Sequence, residues 1–365
     1  MLKRLYVHNY RCLQNFELKT DNNASLLLIG KNGSGKSTLA KVLAIFQKLG
    51  TGTSRVGSLV TKEDFTLERT NENMRFEIEV LFGTKTYKYG IVFDMPENFR
   101  ELRVIEENFF VDGNPVYTRQ EAQVTYNTTI QSEFSLDWHS VALPLITEKK
   151  DGPLQFLRNW LRKMLILAPV PQLIGGESRG NPEYLFPFCE NFADYLTALL
   201  SDYPSSYVII NNFLKGLLPD LKEFNNEYIA VDVRMLKVIF GENNITFKLN
   251  FDKLSDGEKC MFLCAVVLAA QNMYNNLFVF WDEPDNYLAL SEIEHFVRLL
   301  RQRFCNGSQI WMTSHSEVTI NCFSHENTLL LRRKNHCAPT ELRPIHDILK
   351  DTESTIQRLR LNELD

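Results

Sequence analysis

The seven cysteines of this 365-residue chain form no C-x-x-C pair and are odd in number. That pattern argues against a cysteine zinc site and gives no basis for a fully paired disulfide framework. Cys260 and Cys264, one turn apart in an apolar stretch, read as small core residues. No apolar run reaches the roughly 18–20 residues a helix needs to cross a bilayer, so no membrane span or membrane partner is expected. No secretory leader pattern opens the chain; with reduced thiols, the expected compartment is the cytoplasm. Long lysine runs are absent and the net charge is −5, so no global basic field points to nucleic acid. The basic residues that do gather, Arg298, Arg301, Arg303 and Arg332-Arg333-Lys334, read first as solvated faces, which leaves a local nucleic-acid contact open. No heptad run extends over several turns, which excludes a long coiled-coil arm. What remains is an ordinary globular composition, 44% hydrophobic, long enough for one large domain or two lobes.

Against that background one segment stands out. Gly30-Lys31-Asn32-Gly33-Ser34-Gly35-Lys36-Ser37 matches the phosphate-loop pattern G-x-x-x-x-G-K-[ST]. The apolar run Ser25–Ile29 before it reads as a buried strand, and Thr38–Phe46 after it reads as a helix. Gly30, Gly33 and Gly35 allow close backbone approach, and backbone N–H groups around Asn32 and Thr38 point inward with the helix N-terminus. Lys36 is assigned to the β- and γ-phosphates and Ser37 to Mg²⁺. The expected cofactors are therefore ATP and Mg²⁺.

About 220 residues downstream come two further segments. Leu254-Ser255-Asp256-Gly257-Glu258 opens a helix through Ala270, with Ser255 as N-cap and Glu258 completing a capping box. The helix N-terminus, Ser255 and Gly257 can face a phosphate. Leu277–Trp281 is apolar throughout, as a strand buried on both faces should be, and it ends at Asp282-Glu283. Asp282 is the expected metal ligand and Glu283 the expected general base.

Taken together, these motifs resemble an ABC-type ATPase of the SMC/RecF/OLD-like group, including ATPase components of bacterial anti-phage defence systems. Leu2–Cys12 resembles the opening strand of that group, and the phosphate loop follows at a similar distance. Leu254–Glu258 resembles its LSGGE signature, with Asp256 in place of the first glycine. Trp311-Met312-Thr313-Ser314-His315-Ser316 resembles its switch strand, which assigns His315 to the γ-phosphate. The resemblance also implies that Arg11 touches the nucleotide. Gln172, after the strand-like Met164–Pro169, becomes the glutamine that contacts nucleotide and metal. Two copies would sandwich the nucleotides, Ser255 of one closing on the γ-phosphate of the other. The aspartate usual in the dimer-contact loop is replaced by Ala289.

The expected fold class is α/β: an ABC-type P-loop core with an antiparallel β-subdomain and a helical signature lobe. Within a single domain, residues 1–165 and 275–345 are assigned to the nucleotide core, 166–274 to the signature lobe and 346–365 to a short helical tail. Hairpins are expected at Gly83–Thr86 and at Asp112–Asn114. The segment 150–225 reads as helical, strands return over 226–250, and Gly175–Pro182 reads as a flexible loop for partner contact. Only about 50 residues follow His315, too few for the nuclease domain of OLD enzymes. The functional expectation is a homodimeric or higher-order ATP-driven switch that senses a trigger and controls a separate nuclease or toxin. The alternative is a RecF-like DNA-binding ATPase of DNA repair.

Overall fold

The computed structural model describes residues 1–347 except 21–22, 128–131, 149–151, 181, 183 and 305–306. The chain divides into two compact units, Met1–Met164 with Phe323–Asp365, and Leu165–Cys322. The segment 275–322 thus lies in the second unit, whereas the sequence assigned it with 1–165. The expected tail is described only as a 3₁₀ turn at Ile345–Asp347; the rest lies outside the described residues.

The first unit is built on strands β1 (Leu2–His8), β2 (Phe16–Lys19) and β3 (Ser25–Ile29), helix α1 (Lys36–Gly50), strands β4 (Met74–Phe82), β5 (Lys85–Asp94), β6 (Arg103–Val111), β7 (Asn114–Gln120), β8 (Gln123–Tyr126) and β9 (Ser132–Ser135), and helix α2 (Pro153–Lys163). An eight-stranded antiparallel sheet runs in the order β2-β1-β4-β5-β6-β7-β8-β9. Strict alternation sets its faces: Met74, Phe76, Ile78, Val80 and Phe82 of β4 are all buried, with half-exposed residues between them. Both expected hairpins form. The β6–β7 turn has φ 49° at Asp112 and 79° at Gly113, the left-handed pair that matches strand twist. Helix α1 covers the sheet, with Phe46 edge-on to Phe76 and Tyr89 at 6.5 and 6.2 Å. It packs closely on α2. A Cβ at Gly50 would sit 2.5 Å from the backbone nitrogen of Arg162, so only glycine permits that approach.

Beneath the sheet lies a buried carboxylate. Glu107 is fully buried and accepts from the hydroxyls of Tyr89 and Tyr117 and from the N–H groups of Ala142 and Leu143, at 2.7–3.0 Å. Arg119 stands 3.6 Å away and donates to the carbonyls of Glu121, Ser140 and Asp137. With its lone pairs satisfied, this charge pins the 137–143 loop to the sheet.

The second unit comprises β10 (Leu165–Leu167), β11 (Glu177–Ser178), α3 (Phe192–Asp202), α4 (Ser206–Leu217), β12 (Leu221–Ala230), β13 (Val233–Glu242), β14 (Ile245–Asn250), α5 (Asp256–Met273), β15 (Phe278–Trp281), α6 (Leu290–Arg303), β16 (Gln309–Thr313) and α7 (Glu317–Asn321). Strands β10, β15 and β16 are parallel, with β15 central and every residue of it buried. Helix α5 is buried without a break from Lys259 to Ala270, as a helix apolar on all sides must be. Strands β12, β13 and β14 form an antiparallel meander. The 150–225 segment is less helical than its composition suggests, because β10 and β11 interrupt it and strands resume at Leu221. The 175–182 loop also departs from the flexible reading. Glu177–Ser178 pairs with β13, and the N–H groups of Arg179 and Gly180 both donate to Asp194, at 2.7 and 2.9 Å. Asn181 lies outside the described residues. The last described strands lie in the first unit: β17 (Thr328–Arg332), parallel to β3, and β18 (Glu341–Pro344), antiparallel to β17. Among the described residues, no helix is long and apolar enough to cross a membrane.

Candidate active site

The phosphate loop grows out of β3, whose five residues are all buried. A Cβ on Gly30 would lie 2.3 Å from the carbonyl oxygen of Leu331 on β17, so the close pairing of β3 and β17 demands glycine there. Gly35, the N-cap of α1, has φ 109°, and a Cβ on it would meet Thr340 Oγ1 at 2.9 Å and Cys12 Sγ at 3.1 Å. Thr340 also donates through its hydroxyl to the Ser34 carbonyl and through its N–H to the Cys12 carbonyl, both at 2.8 Å. These two residues, 328 positions apart in the chain, form the floor of the loop; no local motif marks either. Around Gly33 (φ 79°) there is open space, and Asn32, Gly33 and Ser37 are exposed while Thr38 is half-buried. Lys36 is buried, and its ammonium donates to the carbonyls of Gly30 at 2.7 Å and Lys31 at 3.3 Å. No acidic residue occupies the first turn of α1. A cationic amine, an exposed glycine lip and a helix N-terminus form a set suited to phosphate. The Arg11 (φ 52°) guanidinium bonds Asp64 at 2.7 and 2.9 Å and lies over the Tyr10 ring.

The remaining assigned residues gather in the second unit. At the end of β15, Thr313 of β16 links the two carboxylate residues. Its hydroxyl donates to Asp282 Oδ1 and accepts from the Glu283 N–H at 3.0 Å. Glu283 sits at φ 49°, a left-handed conformation uncommon for any residue but glycine, asparagine or aspartate. Its side chain is gripped from two sides: His315 Nε2 lies 3.3 Å from Oε1, and the Asn286 amide donates to Oε2 at 2.5 Å. The expected base and the expected γ-phosphate sensor are therefore in direct contact. Asp285, absent from the sequence assignment, is buried and accepts from Ser314 Oγ at 2.6 Å and from the Thr319 hydroxyl. Thr313, Asp285 and Asn286 were missed because their roles rest on contacts across 29 to 34 positions or on a kinked backbone; an aspartate after Glu-Pro is otherwise an ordinary turn residue.

The signature segment forms the capping box that its spacing predicts. The Glu258 N–H donates to Ser255 Oγ at 3.3 Å, and the Ser255 N–H donates to Glu258 at 2.7 Å. Gly257 is closely covered, since a Cβ there would lie 3.0 Å from the Tyr287 carbonyl oxygen. Gln172, in the 3₁₀ turn Pro171–Leu173, donates to Asp256 Oδ2 at 2.5 Å, while buried Lys259 donates to the Pro171 carbonyl at 3.1 Å. The glutamine turn is thereby tied twice to the signature helix, once through the aspartate that replaces the usual glycine. Ala289 is the N-cap of α6, its N–H donating to Glu292 at 3.0 Å.

The family described as "AAA domain, putative AbiEii toxin, Type IV TA system" matches residues 25–321. The chain belongs to this family. The matched span runs from β3 through the phosphate loop, the signature helix and the carboxylate strand to the end of α7. No functionally curated sequence matches the chain. Among solved structures, an Smc head bound to the C-terminal winged-helix domain of ScpA superposes with TM-score 0.59 at 10% identity, over 95% of this chain and 99% of that one. The SMC head domain from Thermotoga maritima gives TM-score 0.49 at 13% identity, over 94% and 98%. At such identities the first likeness speaks for the fold alone. That fold, with the phosphate loop and carboxylate strand it carries, is the SMC/ABC-type P-loop ATPase fold.

Proposed function

We propose that the chain binds ATP with Mg²⁺ and hydrolyses it at a site completed by a second copy. Closure and release of that assembly would control a separate effector, a nuclease or toxin, in bacterial anti-phage defence within the cytoplasm. The observation that carries the hydrolytic reading is the Glu283–His315 contact at the left-handed kink after β15. Strain of this kind is kept where a side chain must point in one direction.

Lys36 holds the β- and γ-phosphates on the backbone lip of Gly30, Gly33 and Gly35. Ser37, Asp282 and Gln172 would supply oxygen donors to the metal when it is bound, a donor set suited to a hard cation. Bound Mg²⁺ supplies charge neutralisation on the transferring phosphoryl group. Glu283 orients and deprotonates the attacking water, with Asn286 and His315 fixing its two oxygens. Ser255 and Gly257 of the second copy present a helix N-terminus to the γ-phosphate. The effector reading draws on the family's toxin–antitoxin description and, by analogy, on the Smc head that binds a separate protein's winged-helix domain.

The test begins with steady-state turnover and solution mass of the purified protein. Lys36→Ala is expected to lose nucleotide binding. Glu283→Gln is expected to retain it, to lose turnover and to accumulate as an ATP-bound dimer or larger species. Ser255→Arg should bind ATP yet hydrolyse it poorly. Parental turnover in Glu283→Gln would refute the assigned base, and parental turnover in Ser255→Arg would refute the shared site. The ATP-bound Glu283→Gln protein, pulled down from its host, should bring a stoichiometric nuclease or toxin. Recovery of DNA alone, released by salt, would replace the effector reading with a DNA-repair one.

A further inference from the structure

We infer that Asp285 is a positioning residue that holds His315 against Glu283, an inference that rests on the hydrolytic reading above. The side chains of His315 and Glu283 are 45% and 30% exposed. An ion pair or hydrogen bond that open to water contributes little by itself, too little to fix a catalytic geometry. The contact must therefore be imposed by the backbones that carry it.

On the Glu283 side that role falls to Thr313, as described. On the His315 side it falls to Asp285. Its carboxylate accepts from Ser314, immediately before His315, and from Thr319, on α7 after it. Ser314 Oγ in turn accepts from the Ser316 N–H at 2.9 Å. His315 is thus bracketed by residues joined to one carboxylate. Asp285 is 5% exposed, and Ser314 and Thr319 are fully buried. A buried carboxylate is strongly destabilising unless its lone pairs are met. Packing alone would be served as well by an apolar side chain, so the charge has another use here. Charge-assisted bonds to hydroxyls fix direction as well as distance. Asp285 follows Glu283 by two residues, so the same short loop carries the base and the anchor of its partner.

The experiment is a double-mutant cycle with an independent readout. Asp285→Ala is expected to lower kcat about 10–100-fold, the scale of a misplacement of about 1 Å, with ATP affinity within about 2-fold of parental. In a His315→Ala background the same substitution should lower kcat by no more than about 2-fold further. The second readout is the NMR signal of the His315 imidazole, assigned by its loss in His315→Ala. It should shift or broaden in Asp285→Ala and in the milder Ser314→Ala and Thr319→Val, each of which removes one donor, and return toward parental in Asp285→Asn, which keeps an acceptor oxygen. Multiplicative kcat losses, or an unmoved imidazole signal in all three disrupting variants, would overturn the inference. The imidazole readout needs no hydrolysis. Absence of parental turnover would therefore sink the hydrolytic reading, while an unmoved signal would sink the positioning role.

Discussion

The left-handed backbone at Glu283 makes a prediction opposite to the usual effect of glycine. Glycine normally lowers stability against alanine by about 0.5–1 kcal/mol, because the unfolded chain gains freedom. At φ 49° an L-residue with a Cβ carries about 1–2 kcal/mol of steric strain that glycine escapes. Glu283→Gly and Glu283→Ala both delete the contacts with His315 and Asn286, so that loss cancels in the comparison. The balance leaves Glu283→Gly more stable than Glu283→Ala by roughly 0.5–1 kcal/mol. The second unit holds about 160 residues, for which 1 kcal/mol moves the melting temperature by about 2–4 °C. The expected gap is therefore about 2 °C, readable by calorimetry on nucleotide-free protein with urea midpoints as a check. Both variants should lack turnover, since the carboxylate is gone from each. A Glu283→Gly protein that melts at or below Glu283→Ala would show that the fold does not impose the kink. The argument that strain aims the base would then fail.

Gly257→Ala sets a methyl group 3.0 Å from the Tyr287 carbonyl and should lower turnover about 10-fold with ATP affinity held within about 2-fold, as a titration beside steady-state kinetics would report. Glu107→Ala strands four buried donors and should cost about 3–5 kcal/mol in urea denaturation, with Glu107→Gln costing less. Burial and the Glu107 carboxylate push the Tyr89 and Tyr117 hydroxyls well above their ordinary value of 10.0. Above that value the folded state keeps protons that the unfolded state releases, so stability is present below pH 10 and falls as pH rises past it; denaturation at pH 9 and pH 11 gives the comparison. Burial likewise raises the thiols of Cys189 and Cys264, and that of Cys260 to about 12. Of the described cysteines, exposed Cys337 should react first with a maleimide, and the buried thiols only on unfolding, which peptide mass mapping would resolve.

The features legible in the sequence are those whose physics is local. The phosphate loop needs its glycines and lysine within eight positions, between a buried strand and a helix. Strand β4 announces itself by alternation over nine residues. Ser255 and Glu258 define a helix start within four. What escaped the sequence depends on partners far along the chain. Thr340 and Cys12 support the phosphate loop from opposite ends of the molecule's sequence, and the Gln172–Asp256 bond spans 84 positions. Strand β11 is two residues long, too short for any periodicity, and it exists because β13 offers an edge. The helical reading of 150–225 failed there for that reason: tertiary pairing overrode local pattern.

The loop after Glu283 joins these two levels. Its sequence lacks the aspartate that the family resemblance leads one to expect at Ala289, so communication between the two proposed sites is expected to differ. The structure shows where the polar residues of this loop are spent instead. Asp285 turns toward Ser314 and Thr319, and Asn286 toward Glu283. The Tyr287 carbonyl meets the signature glycine. One stretch from Glu283 to Tyr287 thereby carries the proposed base and the anchor of its histidine partner, and it lies against the start of the signature helix. On the function proposed above, the backbone of this loop links the hydrolytic residues to the signature segment without a carboxylate at residue 289.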